Sequence, residues 1–274
     1  MYAFLRFKDF RKKAVTFSYD DGMVFDKRLV EIFNENGLKG TFNLNSLRFG
    51  TGRHMTVEET VALFKNSPHE VAVHGADHLS LGELNTTAAL KEISSDRLAL
   101  EESFGKIVRG MAYANGSFKD ETMDILKKCG IVYARTVRST ESFEIPTDWL
   151  RLDPTCHHAN PRLSELADKF LDDTPARHFF YEKPRLFYVW GHSYEFNDKD
   201  NWHIIEEFAK KIGNRDDVWY ATNIEVYDYV KAFDSLVYSY DSKMVYNPSS
   251  TDIYACFYGN DVLIPAGKTV SITN

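Results

Sequence analysis

The sequence predicts an α/β chain folded as a βα barrel, and three observations carry that expectation. Short apolar, β-branched runs alternate with amphipathic stretches along most of the chain, the pattern of buried parallel strands joined by helices. The 274 residues match the length such a barrel needs, which is typically about 250. Carboxylates and histidines also follow directly on several strand-like runs, where α/β folds gather their sites.

The first strand is the run Ala14, Val15, Thr16, Phe17, and it delivers Ser18, Tyr19, Asp20, Asp21 and Gly22. A helix follows over 26–36, with Leu29, Ile32 and Phe33 on one face and Gly37 as its stop. Strand 40–44 comes next; Thr56 and Glu59 then form a capping box for a helix reaching about Asn66. Strand 70–73 ends at His74, a long helix spans 87–104, and 107–113 reads as strand before the turn at Asn115 and Gly116. Helix 121–128 stops at Gly130 ahead of strand 131–134. The section 138–160 is irregular, with 149–152 as a strand. Strand 186–190 leads to Gly191 and His192, helix 202–211 ends at Gly213, and strand 218–221 precedes a helix over 224–233.

From about Ser235 the composition shifts to Tyr, Val, Ser and Asn in short alternating runs punctuated by Gly259, Asn260, Asp261 and by Pro265, Ala266, Gly267. These read as β-hairpins. The expected division is a barrel over 1–234 and a small β appendage over 235–274.

Composition narrows the partners. Hydrophobic residues at 43% and charged residues at 27% describe an ordinary globular chain. The net charge of −7, with no basic cluster interleaved with aromatics, argues against nucleic acid or an anionic membrane. Aromatic residues at 14% suit a sugar-stacking cleft and equally a packed core. Three scattered cysteines call for no disulfide. No stretch has signal-peptide or transmembrane length, so the chain as given is expected to be cytoplasmic. The sequence does not reveal whether it forms a homo-oligomer.

The chemistry concentrates in three places. Asp20 and Asp21 emerge together at a buried strand end, where two like charges are costly unless a cation or a proton is shared between them. His74 follows another strand, with His78 at a spacing of four. A carboxylate and two imidazoles make a metal site with open positions. His192 arrives from a third strand end.

Together, Ser18-Tyr19-Asp20-Asp21-Gly22, His74 with His78, and Val189-Trp190-Gly191-His192-Ser193 resemble the polysaccharide deacetylase family, the NodB-like carbohydrate esterases, over roughly residues 10–235. The resemblance implies a distorted βα barrel, closed or incomplete. It implies Asp20 as catalytic base, Asp21, His74 and His78 as metal ligands and His192 as general acid. Zinc suits that ligand set best, with cobalt, nickel or manganese as alternatives. The expected reaction is removal of an acetyl group from an N-acetylated amino sugar or an acetylated polysaccharide. A backbone N–H near Asn115 would help to hold the oxyanion. Tyr113, Asn115, Trp149, Trp190 and His157 are the expected substrate-binding residues, with His157 and His158 alternatively ordinary loop residues.

The chain departs from the family in one motif. Where the family has RxPYG, this sequence reads Ala112, Tyr113, Ala114, Asn115, Gly116. The arginine that pairs with the base in that family is absent there, so Asp20 is expected to lose a charge partner unless Arg151, Arg135 or another side chain substitutes. The family's fourth motif has only Asp148 with Trp149, or Asp153, as candidates. Two other functions stay open: a glycan-binding barrel with little or no turnover, and a related amide hydrolase.

Overall fold

The computed structural model describes residues 2–174 and 183–272. Its strands are β1 (Ala3–Arg6), β2 (Lys13–Asp20), β3 (Thr41–Leu44), β4 (Glu70–Val73), β5 (Gly110–Ala112), β6 (Tyr133–Arg135), β7 (Cys156–His157), β8 (Arg185–Gly191), β9 (Val218–Tyr220), β10 (Val237–Tyr238), β11 (Met244–Tyr246), β12 (Ile253–Phe257), β13 (Asn260–Ile264) and β14 (Thr269–Ser271). The helices are α1 (Asp26–Glu35), α2 (Val57–Phe64), α3 (Thr86–Phe104), α4 (Asp120–Lys128), α5 (Leu163–Leu171), α6 (Ser193–Asp198), α7 (His203–Ile212) and α8 (Asn223–Asp234).

A curled parallel sheet in the order β6-β5-β4-β3-β2-β8-β7 forms a distorted half-barrel. The central strand β2 is buried along its whole length, as a parallel strand covered on both faces must be. It changes neighbours midway: Lys13–Val15 pair with β9, Ser18–Asp20 pair with β3, and β8 runs along the other side. That switch brings Asp20 beside Asn43 at the C-terminal end of the sheet. Among the described residues, β6 and β7 are not paired with each other.

Local chemistry explains the helix ends. The expected Thr56–Glu59 capping box starts α2, and a second, Thr222–Glu225, starts α8. Gly105 closes α3 in a left-handed conformation. The stretch 149–152, expected as a strand, instead holds a tight 3-10 turn over Trp149–Arg151, because Asp148 accepts the N–H groups of Leu150 and Arg151 at 3.2 Å each.

One core lies between the sheet and the helices, around Phe17, Phe33, Phe42, Phe187 and Phe208. A second joins the barrel to the short C-terminal sheets through Phe7, Tyr229, Ile253 and Phe257. In one of those sheets the N-terminal strand β1 pairs antiparallel with β12, Ala3 opposite Phe257. Among the described residues no helix is long and apolar enough to cross a membrane.

Candidate metal centre

Asp20 closes β2 with 2% of its surface exposed. The chain then turns sharply, with Asp21 at φ 81° and Gly22 at φ 67°. Only this left-handed step lets adjacent carboxylates leave a strand toward one space. Asp21 keeps the backbone register by donating its N–H to Asn43 O at 3.0 Å.

His74 and His78 do not lie on a helix. They sit on the loop after β4, with His78 at φ 57°. His74 Nε2 lies 3.6 Å from Asp21 Oδ1 and 3.7 Å from Asp20 Oδ2, and His78 Nε2 lies 3.5 Å from Asp21 Oδ1. One ligand atom from each of Asp21, His74 and His78 falls within 4.8 Å of the others. His74 Nδ1 is 2.9 Å from the Ala112 carbonyl, which can only accept, so Nδ1 carries the proton and Nε2 presents a bare lone pair. That buried Nε2 has no hydrogen-bond partner. A buried lone pair facing a carboxylate and a second imidazole fits a divalent cation of the zinc type. Burial first, and His74 second, hold His78 below its ordinary pKa, in the neutral form a metal needs.

Residues that the sequence reading did not single out shape this loop. Asp96 and Glu92 stand one turn apart on the buried side of α3. Asp96 accepts the N–H groups of Ser46 at 2.8 Å and His74 at 3.0 Å, and Glu92 accepts those of Asp77 at 2.8 Å and Leu79 at 3.1 Å. Asn45 donates to the carbonyls of His74 at 3.0 Å and Gly75 at 2.7 Å. Two acids at i, i+4 on the apolar face of a predicted helix were the available signal.

Arg135, at the end of β6, is fully buried, pairs with Asp20 Oδ2, and stacks on Trp190 at 4.3 Å. It therefore gives Asp20 a cationic partner that the stretch Ala112–Gly116 does not supply. Arg151 instead pairs with Asp120 on the surface, and Asp153 is engaged by Thr136 and Arg138. Burial pushes the Asp20 carboxyl upward, but Arg135, His74 and His192 outweigh it and hold the pKa down at about 2.

His192 Nε2 lies 3.8 Å from Asp20 Oδ2, while Nδ1 lies 2.8 Å from Glu195 Oε1. Burial opposes the charged ring, yet Glu195, Asp20 and Asp21 together raise its pKa. Glu195 also faces His157 Nε2 at 3.3 Å and Lys199 Nζ at 2.6 Å. His157, His158 and Glu195 have the composition of a second metal set. Their hydrogen bonds point elsewhere: the Ala159 N–H occupies His157 Nδ1 at 3.1 Å, so its Nε2 carries the proton toward Glu195. His158 is buried against Tyr19 and Phe196 and is held neutral by burial.

The remaining expected binding residues are placed differently. Tyr113 is 1% exposed and spends its hydroxyl on Leu150 O at 2.9 Å. Trp149 packs edge-on against Tyr227 in the second core, because the turn at Asp148 directs it inward. Neither is brought to the carboxylates with a free polar group. Asn115 sits at φ 57° in a turn and donates to Ser80 Oγ at 2.9 Å. The N–H groups of Gly116 and Ser117 are used inside that turn.

Residues 7–134 match the family model described as polysaccharide deacetylase. A protein from Arthroderma benhamiae named as a peptidoglycan-N-acetylglucosamine deacetylase is 33% identical over 85 residues, 30% of this chain and 19% of that protein. The match thus spans about a fifth of the curated relative. Among solved structures, a Mycobacterium smegmatis protein named as a polysaccharide deacetylase superposes with a TM-score of 0.59 at 15% identity, covering 85% of this chain and 95% of that one. A carbohydrate esterase family 4 pseudoenzyme from Bacillus anthracis superposes with a TM-score of 0.50 at 16% identity, covering 78% and 65%. At these identities the two structures establish the shared fold.

Proposed function

We propose, from the premise that residues 7–134 belong to the polysaccharide deacetylase family, that this chain is a metal-dependent hydrolase. It removes acetyl groups from an N-acetylated amino sugar or an acetylated oligo- or polysaccharide. The observation that carries the reading is the orphaned His74 Nε2, buried beside Asp21 and His78 with its tautomer set by Ala112.

Asp21, His74 and His78 would hold the ion, zinc before cobalt, nickel or manganese. When bound, such an ion acts as a Lewis acid on the acyl carbonyl and acidifies water. Asp20 is ionised above about pH 2 and takes the proton of the attacking water, its carboxylate held by Arg135. His192, kept protonated by its carboxylate neighbours, gives the Nε2 proton to the leaving amine or alkoxide. Trp190 and His157 pack beside His192, and a sugar ring would lie on that side.

The test is bound metal, quantified in the protein and in Asp21→Ala and His74→Ala, with acetate release from chitooligosaccharides, acetylated xylan and peptidoglycan fragments followed in parallel. Metal near one equivalent, lost in both variants, with metal-dependent acetate release is the expected result. Metal without turnover on every substrate favours a binding barrel, and absence of metal uptake overturns the reading.

A further inference from the structure

We infer that Asn43 is a positioning residue for Asp20, holding the carboxylate oxygen that Arg135 does not reach; the inference rests on Asp20 acting as the base. Asn43 is fully buried in β3, directly across the ladder from Asp20. Its Nδ2 donates to Asp20 Oδ1 at 2.8 Å, while Arg135 takes Oδ2. The two carboxylate oxygens are thus held from two different strands, and neither contact comes from the altered motif.

A chain of hydrogen bonds sets the Asn43 amide from below. Nδ2 also donates to Ser18 Oγ at 2.8 Å. Below it, the Tyr188 hydroxyl accepts from Asn223 Nδ2 at 2.6 Å. Asn223 Oδ1 in turn accepts from Thr16 Oγ1 at 2.8 Å. Asp20 Oδ1 and the Tyr19 carbonyl, which Nδ2 also reaches at 3.3 Å, can only accept, so both ask the amide for N–H, and the flipped orientation would set a carbonyl oxygen against a carboxylate. The backbone of the same residue accepts from Asp21 N at 3.0 Å, so Asn43 sets the direction of both acids.

The deciding variant is Asn43→Leu, alike in branching and without a donor, with Asn43→Ser, smaller and too short to reach Oδ1, as a second that does not overfill the site. In both, metal content and KM are expected to stay within about twofold of the parent while kcat falls about 10- to 100-fold, the scale of a misaligned reacting group. Crystal structures of the variants should show the Asp20 carboxylate rotated off its parent position. An unchanged kcat in an active enzyme, or an unmoved carboxylate, overturns the inference. Should the parent release no acetate from any substrate, the deacetylase reading fails by itself, and the carboxylate position alone decides the role of Asn43.

Discussion

Glu195 Oε1 lies 2.8 Å from His192 Nδ1, so a single carboxylate decides which imidazole nitrogen of His192 faces Asp20. A general acid must be protonated, and activity is lost as pH rises through its pKa. In Glu195→Gln the ring loses its nearest anion while burial continues to oppose its charge. The alkaline limb of the kcat profile should therefore move to lower pH, with a rate loss of about 10- to 100-fold at neutral pH. A limb that stays in place would detach Glu195 from the acid.

Removing the guanidinium in Arg135→Met leaves the Asp20 charge buried without its main partner. The expected loss is about 3–5 kcal/mol of stability at pH 7, read from denaturant unfolding. Asp20 titrates lower in the folded chain, at about 2 against an ordinary 3.8, so its contribution is present above pH 3.8 and fades as pH falls toward 2. Parent and variant should accordingly converge in acid. Arg135→Lys should recover only part of the loss, since an ammonium cannot stack on Trp190 and pair with Asp20 in one plane.

Glu70 sits at the opposite end of the sheet. It accepts from Tyr133 at 2.7 Å, Thr41 at 2.8 Å and the N–H of Ile224 at 3.0 Å. Burial is the largest cause that moves its pKa, from 4.5 up to about 7. A carboxyl raised on folding binds its proton more tightly in the native state, so stability declines as pH rises from about 4.5 to about 7 and then levels. The Glu70 share should amount to about 3 kcal/mol, and the decline should be shallower by that share in Glu70→Gln, while Asp96 and Asp26, which burial also raises to about 7 and about 8, keep theirs. Urea titrations across that range would reveal it.

An ion that binds only the folded chain raises its stability by mass action, about 2.7 kcal/mol at a hundredfold excess over Kd. For a chain of this size that corresponds to a Tm increase of roughly 5–10 °C. The increase should appear with zinc, disappear with a chelator, and be absent in His74→Ala.

Much of this was legible because parallel strands buried on both faces read as continuous apolar runs. The candidate site residues also follow such runs directly: Asp20 and Asp21 at the end of one, His74 after another, His192 after a third. What stayed hidden depended on spatial neighbours. Arg135 was one of several candidate partners for Asp20, and only the sheet order, which brings the two together across 115 positions of sequence, singles it out. Glu92 and Asp96 are both buried and spend their oxygens on the N–H groups of loops far from them in sequence. Trp149 was misplaced because the capping effect of Asp148 outweighs the strand preference of the run that follows it.

The pairing of β1 with β12 also sets a schedule. Ala3 lies opposite Phe257, so the first strand leaves the ribosome long before its partner exists. At roughly 5–20 residues per second, it waits on the order of ten to fifty seconds of translation. β2 is in the same position, since its pairing with β9 needs Val218. Until those segments arrive, the central, fully buried strand of the barrel has an open edge, and the nascent chain is a natural client for a holding chaperone.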